Sequence, residues 1–248
     1  QDVGTSRPHP GSWAELLPAD RQKTIPEELN AMLPPDYRLR AMQEADYAAI
    51  AEICARVYPA ETPYTVAELA EHHRRFPEGQ VVAEHVPTAA VAGVHFTLRL
   101  RFEDFQVDDS WDVLTDEGTF DDDDPSGHTL YGADIMVSPD HQHHSLAHAL
   151  TDAARAIVVQ ESLWRMVGGS RLPGYGAVSQ KMSASEYVAA VGAGTLVDPV
   201  LTVHLKDGWQ VVRPIQGYLQ HDPDSAGWAV VIQWVNPACP PPPGLELN

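Results

Sequence analysis

Residues 130–150 read Leu130-Tyr-Gly-Ala-Asp-Ile-Met-Val137-Ser-Pro-Asp-His-Gln142-His-His-Ser145-Leu-Ala147-His-Ala-Leu150. The first eight residues are mostly apolar and predict a buried strand, and a short turn then leads into an amphipathic helix over residues 145–160. Such a junction points several backbone N–H groups, and the positive end of a helix dipole, at one place. That place is suited to a pyrophosphate.

Within this stretch, Val137, Pro139, Gln142 and Ala147 have the spacing of a known signature, a strand ending Val-x-Pro followed by Gln/Arg-x-x-Gly-x-Gly/Ala. It resembles the acetyl-CoA-binding signature of the GNAT N-acetyltransferase family, with Ser145 where that family has glycine. The resemblance implies acetyl-CoA as co-substrate. The residues that it implies in binding are Ile135, Met136, Val137, Gln142, His143, His144, Ser145, Leu146 and Ala147.

Composition and cysteine content predict a soluble, cytoplasmic protein. Of the 248 residues, 44% are hydrophobic and 21% are charged, as in ordinary globular proteins. No apolar run approaches the ~18–20 residues that cross a bilayer, and the N-terminus lacks a signal pattern. Cys54 falls in a helical pattern and Cys239 in a Pro-rich tail, so a structural disulfide is not expected.

The net charge of the chain is strongly negative. It is −19, with a pI of about 4.8, and such a surface repels phosphate backbones, so we expect no nucleic-acid partner. Two explanations of the acidity are open. It keeps the protein soluble, or it attracts a cationic acceptor such as a small-molecule or peptide amine. A homodimer is left open.

The order of predicted elements is β-α-α-β-β-β-α-β-α-β-β. Thr65 and Glu68 form a capping box for the second helix, and Gly208 closes the last one. Residues 1–36 read as an extended N-terminal arm and residues 238–248 as a Pro-rich tail. The predicted strands cover residues 37–42, 80–86, 91–101, 129–137, 165–168, 210–214 and 228–235, and the predicted helices cover residues 44–57, 65–76, 145–160, 185–191 and 199–207.

This succession resembles the GNAT fold, an α/β fold with a mixed twisted sheet flanked by helices. Residues 203–209 resemble a late element of the family, where a short helix meets the sixth strand. Residues 129–134, 171–175 and 234–237 are similar to the GNAT domain that is fused to carbon–nitrogen hydrolases in some bacteria. The resemblance covers residues 37–237.

Two residues are candidates for proton transfer. Asp134, on the signature strand, is placed to take a proton from an attacking ammonium, and its alternative role is to hydrogen-bond neighbouring backbone groups. On that strand it is expected to share a face with Gly132 and Met136. His204 stands where many family members carry a tyrosine that protonates the departing thiolate. Its alternative is a half-buried surface histidine.

Two polar clusters invite a metal interpretation. His144 and His148 share a helix face near Asp140, but no His-Glu-x-x-His motif or cysteine pair accompanies them. Residues 121–124, four aspartates, lack the alternating spacing of a calcium loop. We therefore predict no metal and a solvated, mobile acidic loop.

The acceptor site is expected in variable loops. The connection over residues 102–128 is long and contains aromatic residues among acids, so it is a candidate lid or association surface. Trp111, Arg171 and Tyr175 are the candidate acceptor residues, with local packing as the alternative for Trp111. The sequence thus favours an N-acetyltransferase in which the amine attacks acetyl-CoA directly in a ternary complex. The alternative is a catalytically degenerate binding or regulatory module of the same fold.

Overall fold

The computed structural model describes residues 25–59, 61–102, 105–106, 109–142, 145–218 and 222–245. Its centre is a seven-stranded sheet with the order β1-β2-β3-β4-β5-β7-β6. The strands are β1 (Tyr37–Ala41), β2 (Gln80–His85), β3 (Ala90–Leu100), β4 (Thr129–Val137), β5 (Arg165–Arg171), β6 (Gln210–Gln216) and β7 (Trp228–Val235).

Helices cover both faces of this sheet. They are α1 (Glu27–Ala31), α2 (Tyr47–Val57), α3 (Val66–Arg75), α4 (Trp111–Thr115), α5 (Leu146–Gln160), α6 (Ala184–Gly192) and α7 (Leu201–Lys206). In the part of the chain that the structure describes, no helix has both the length and the apolar composition needed to cross a membrane. The mixed α/β fold predicted from the sequence is confirmed.

Only β4 and β5 pair in parallel, among the strand pairs of the described chain. Parallel neighbours need a crossover connection, and α5 supplies it by packing back across β3 and β4. The parallel pairing begins at Thr129 and Arg165 and ends at Gly132 and Gly168.

Two hydrophobic cores lie on opposite sides of the sheet. On one side, here called the α5 face, side chains of α5 pack with those of α1, α6, α7 and the strands, including Leu150, Leu130, Met166 and Ile232. On the other side, the α2 face, the core includes Ile50, Leu69, Phe96, Tyr131 and Val231. Alternating strand residues therefore belong to different cores, as expected of a sheet buried on both sides.

Most element boundaries agree with the sequence pattern to within a few residues. The capping box of α3 is present, since the Thr65 hydroxyl accepts a hydrogen bond from the Glu68 N–H and Glu68 bonds back. Strand β5 is longer than predicted and ends at Arg171.

The N-terminal arm differs from its prediction where it is described. Residues 27–31 form a helix rather than an extended segment, and Leu29 and Leu33 are buried in the α5-face core. The Asn30 side chain accepts a hydrogen bond of 2.6 Å from the Leu39 N–H, which fixes α1 against β1. Residues 1–24 lie outside the described residues.

The start of α5 has an unusual backbone conformation. Ser145, its N-cap, has φ +58° and ψ +21°, in the left-handed region, and its side chain makes no capping hydrogen bond. Ser145 therefore does not share the helical backbone conformation of the residues that follow it. A residue with a Cβ is strained in this region and glycine is not.

We predict that Ser145→Gly stabilises the protein by about 1 kcal/mol, because it relieves this strain and loses no capping bond. Thermal unfolding without ligands measures the change. The matched control is Ser183→Gly at the N-cap of α6, where φ is −70° and the side chain accepts a hydrogen bond from the Glu186 N–H. That variant is expected to be destabilised, and equal effects at the two caps would contradict the strain argument.

Candidate active site

A gap opens in the middle of the sheet between β4 and β5. Their pairing ends at Gly132 and Gly168, yet β4 continues along β3 to Val137 and β5 continues along β7 to Arg171. Beyond the two glycines the strands follow different neighbours. Backbone groups that would otherwise join the two strands are therefore available to a ligand.

A bulge in β4 lies at the mouth of this gap. Opposite β3, Phe96 aligns with Asp134 and Thr97 with Gly132, so Ala133 is an extra residue. The Trp111 indole N–H donates a hydrogen bond of 2.8 Å to the Ala133 carbonyl oxygen. The bulged carbonyl is thus satisfied by the connection between β3 and β4 rather than by a strand.

The bulge changes the direction of Asp134. A Cβ added to Gly132 would lie 2.9 Å from the Met166 side chain and 3.2 Å from that of His95, so Gly132 faces the α5 side. Asp134 faces the α2 side, where it contacts Tyr58. The sequence-based expectation that Asp134 and Gly132 share a face is wrong, because the extra residue shifts the alternation by one.

Asp134 is a carboxyl group held among tyrosines. The Tyr58 hydroxyl donates to its Oδ1 atom at 2.9 Å, and Tyr64 and the Ile135 N–H also bond it. Burial raises the pKa of Asp134 to about 7, the Tyr58 bond works against this rise, and the negative charge of Glu61 adds to it. A carboxyl group with this pKa accepts protons efficiently near neutral pH.

A second pair of tyrosines lies beside this group. The Tyr131 and Tyr218 hydroxyls hydrogen-bond to each other. A Cβ on Gly169 would lie 2.2 Å from the Tyr218 ring, so only glycine allows this ring to cover β5 at the gap. Burial raises the pKa of Tyr218 to about 12, and its hydroxyl therefore remains protonated.

His204 lies on the opposite face of the sheet. Its Nδ1 atom is 2.9 Å from the Ser170 Oγ atom, and α7, which carries His204, packs with the α5-face core through Leu201. Burial lowers the pKa of His204 to about 4, so the ring is neutral at pH 7. The structure does not bring together the two residues predicted to transfer protons.

The turn between β4 and α5 is fixed to α2. Arg56 donates two hydrogen bonds, of 2.7 and 3.0 Å, to the Asp140 carboxylate. Leu146 is buried, Gln142 and Ala147 are exposed, and the first turn of α5 carries no acidic residue. His143 and His144 lie outside the described residues. The first turn of α5 thus offers backbone N–H groups and contains no acidic residue.

Along β4, the three residues implied in cofactor binding have separate side-chain environments. Ile135 and Val137 pack against the α5-face core, and Met136 is buried in the α2-face core. Among the described residues, no three or more His, Cys, Asp or Glu side chains are grouped to hold a metal ion.

The three candidate acceptor residues have different positions. Trp111 lies at the bulge and Arg171 lies at the end of β5, and both border the gap. Tyr175 is buried in the α5-face core, and its hydroxyl donates to the Met182 carbonyl oxygen at 3.1 Å. This placement gives Tyr175 a packing role instead of the predicted contact with an acceptor.

Side-chain contacts hold the acidic connection between β3 and β4 in place, although its composition is typical of a solvated loop. Asp123 pairs with Arg99 at 2.6 Å, and both side chains are buried. The His72 ring, also buried, lies 2.8 Å from the Gly118 carbonyl oxygen through Nε2 and stacks on Phe120. These contacts hold the connection against α3, and the expectation of a solvated loop is wrong for Asp123.

The raised pKa of Asp134 has a consequence for stability. The pKa of Asp134 is about 7 in the folded state and 3.8 in the unfolded state, so the folded state binds this proton more tightly. The fold therefore loses stability as pH rises from about 4 to about 7. Asp134→Asn removes this charge while its amide oxygen still accepts from Tyr58. At each pH, the free energy of unfolding of Asp134→Asn is compared with that of the wild type. We predict that the difference, variant minus wild type, increases by about 2–3 kcal/mol from pH 5 to pH 8.

Denaturant unfolding at several pH values measures this change. The matched control is Asp140→Asn, because the Arg56 hydrogen bonds lower the pKa of Asp140 and its titration lies below this range. The effect of the control is expected to be constant from pH 5 to pH 8. A constant effect of Asp134→Asn would show that its pKa is ordinary.

Known proteins are similar to this chain in sequence. Over 179 residues, which are 72% of this chain and 78% of the relative, the sequence is 32% identical to "Uncharacterized N-acetyltransferase YkwB" of Bacillus subtilis (strain 168). It is 29% identical over 198 residues, 80% of this chain, to "Probable hydrolase YhcX" of the same organism. The match spans only 38% of the length of YhcX. No family model matches the chain.

A solved structure agrees with the sequence relatives. The GphF GNAT-like decarboxylase in complex with isobutyryl-CoA matches with a TM-score of 0.67 and 26% identity, over 80% of this chain and 98% of that chain. Three features of the structure account for the signature found in the sequence. They are the parallel strand pair that opens into a gap, the bulge in β4 and the helix after the β4 turn. With the 32% identity to YkwB, they show that the chain belongs to the GNAT N-acetyltransferase family.

Proposed function

We propose that this protein is an N-acetyltransferase that moves the acetyl group of acetyl-CoA to an amine by direct attack in a ternary complex. One observation carries the proposal: a carboxyl group whose pKa is raised to about 7, Asp134, lies at the mouth of the β4–β5 gap. Family membership supports the use of an acyl-CoA. The raised pKa of Asp134 favours an active enzyme over a catalytically degenerate module.

The residues around the gap fit acetyl-CoA. When bound, it supplies the activated acetyl group. Backbone groups of Ile135, Met136 and Val137 line the β4 side of the gap. At the start of α5, Gln142, Ser145, Leu146 and Ala147 offer N–H groups to a pyrophosphate, and the first turn of the helix contains no acidic residue. We keep His143 and His144 in this set as a prediction from the sequence.

Asp134 is proposed to take the proton from the attacking ammonium. Tyr58 fixes the carboxyl by its hydrogen bond. The departing thiolate must receive a proton, so its donor has to be a group that still carries one at neutral pH. His204 is neutral and bonded to Ser170 on the other face, whereas the Tyr218 hydroxyl is protonated and lies over Gly169 on the face of Asp134. We therefore favour Tyr218 over His204 as the donor.

Some finer features are also proposals. The match to part of Probable hydrolase YhcX supports a domain of the kind that is fused to carbon–nitrogen hydrolases. The two cysteines, Cys54 and Cys239, are both unpaired, which supports a reducing compartment such as the cytoplasm. A homodimer stays a prediction.

A decarboxylase is the second candidate function. The GphF structure, which has 26% identity and a TM-score of 0.67, is that of a GNAT-like decarboxylase. A decarboxylase that binds an acyl-CoA would release CO2 from a carboxyacyl thioester without an amine. Asp134 would then protonate the product carbon, since a carboxyl group with a pKa of about 7 is a proton donor as well as an acceptor.

Two measurements test the proposed function. Acetyl-CoA is expected to raise the melting temperature, because a ligand that binds only the folded state stabilises it. Release of free CoA thiol with a panel of primary amines measures turnover. Stabilisation without turnover would indicate the degenerate module, and release of CO2 from malonyl-CoA without an amine would indicate the decarboxylase.

Once an acceptor amine is identified, the rate at saturating acetyl-CoA is expected to rise with pH through an apparent pKa near 7, as Asp134 loses its proton. Asp134→Asn should abolish this limb and lower turnover by roughly 10²–10⁴-fold. Tyr58→Phe removes a hydrogen bond that lowers the pKa of Asp134, so the limb should move to higher pH. A profile unchanged in both variants would remove Asp134 from the reaction.

We also predict that Trp111 positions the bulge. Trp111→Phe keeps most of the ring but loses the 2.8 Å bond to the Ala133 carbonyl oxygen. It is expected to lower kcat about 5-fold, the value of one hydrogen bond, with little change in KM for acetyl-CoA. The control is Trp164→Phe, since the Trp164 indole N–H is buried without a partner among the described residues and no bond is lost. Equal kcat in the two variants would contradict the positioning role.

A further inference from the structure

Arg171 lies on the strand that borders the gap opposite Asp134. Val167 and Gly169 precede it by four and two residues, and both face the α2 side, Val167 in the α2-face core and Gly169 under the Tyr218 ring. Strand alternation therefore places Arg171 on the same face. Its pairing partner on β7, Ala229, also belongs to the α2-face core. Asp134 and Arg171 thus stand on the two sides of one opening.

One edge of the Arg171 guanidinium is held firmly. Its Nε atom donates to the Asp222 Oδ2 atom at 2.7 Å, and Nη2 bonds Oδ1. Asp222 is itself buried and accepts a hydrogen bond of 2.7 Å from the Ser225 hydroxyl. Ser225 in turn accepts from the Leu172 N–H at 3.0 Å, next to Arg171 in the chain. This closed set of bonds fixes the orientation of the guanidinium.

The other edge of the guanidinium is open. The Arg171 side chain is 45% exposed, and within the described ranges no contact uses its Nη1 atom. A guanidinium carries five N–H donors in a planar fork, and Asp222 engages only two of them. The open edge is therefore a preorganised site for a second planar anion.

Tyr58 interacts with both charged groups. Its hydroxyl donates to Asp134 at 2.9 Å, and it is close enough to Arg171 for the two side chains to interact electrostatically. An acceptor whose amino group reaches Asp134 therefore has a guanidinium edge nearby. A simple alkylamine would leave that edge without a partner.

We propose that the acceptor is an amine that carries a carboxylate close to its amino group, as in an amino acid, with the carboxylate bound by the open edge of Arg171. This rests on the proposed function. The amine nitrogen forms a bond to the acetyl carbon, and the carbon–sulfur bond breaks with its electron pair on sulfur. Asp134 takes one proton from the ammonium group, and the nitrogen releases a second proton to solvent as the amide forms. Sulfur takes one proton from the Tyr218 hydroxyl, which solvent then restores. The products are the N-acetyl amino acid and CoA, and the carboxylate is unchanged.

The test compares each amino acid with the amine formally produced by removing its carboxylate, for example phenylalanine with phenethylamine and leucine with isoamylamine. Release of CoA thiol from acetyl-CoA is measured at pH 8. The best amino acid is expected to exceed its matched amine in kcat/KM by about 10- to 100-fold, the range for hydrogen bonds to a charged group. Equal use of the two members of each pair overturns the proposal.

Variants assign this preference to Arg171. Arg171→Gln should bring the ratio of amino acid to amine close to one, and Arg171→Lys, which keeps the charge without the fork, should give an intermediate ratio. The Lys variant also serves if the Gln variant does not fold. The matched control is Arg38→Gln on the outer strand β1, where the side chain is 55% exposed, and it should keep the wild-type ratio. A ratio unchanged in Arg171→Gln overturns the assignment.

The experiment separates this inference from the proposed function. If amines without a carboxylate are acetylated as well as amino acids, the inference fails and the transferase stands. If no member of the panel is acetylated, thermal unfolding with CoA and each amino acid is measured. Absence of any further stabilisation by the amino acids then overturns the inference, and absence of stabilisation by acetyl-CoA itself overturns the proposed function.

Discussion

The site depends on the point at which two parallel strands stop pairing. β4 and β5 are joined only as far as Gly132 and Gly168, and beyond them each strand is held by a different antiparallel neighbour. The first glycine leaves room for Met166 and His95, and β4 and β5 are brought side by side by the α5 crossover. Beyond the glycines, the outer edge of β4 is hydrogen-bonded to β3 and the outer edge of β5 to β7. The two inner edges, which face each other, are left open to a ligand.

The acidic group at this opening is produced by a backbone irregularity. Without the extra residue Ala133, the alternation of β4 would direct Asp134 toward α5 and away from Tyr58. Burial among tyrosines then raises the pKa of Asp134 to about 7. The fold accepts an unfavourable buried carboxylate at the place where we propose that a proton is moved, a common compromise at functional sites.

The sequence predicts those parts of the molecule that depend on local patterns. The buried strand β4, the amphipathic α5 and the capping box of α3 each have a signature within a few residues. The bulge at Ala133 has none, since alanine is ordinary in a strand. Tyr58 and Tyr218 come from segments far apart in the chain and meet only when the sheet is complete. The pairing of Arg171 with Asp222, 51 residues later, is non-local for the same reason.

The order of the strands also bears on how the chain folds. β5 is separated from its partner β7 by α6, α7 and β6, so one border of the opening is completed by a contact between distant parts of the chain. Closing such long loops is entropically costly, and contacts of this kind tend to form late. A partly folded chain that has only β1–β4 and α5 in place would have the carboxyl of Asp134 without the wall that Arg171 and Tyr218 provide. The chemistry that we propose at this opening would therefore become available only when the whole sheet has assembled.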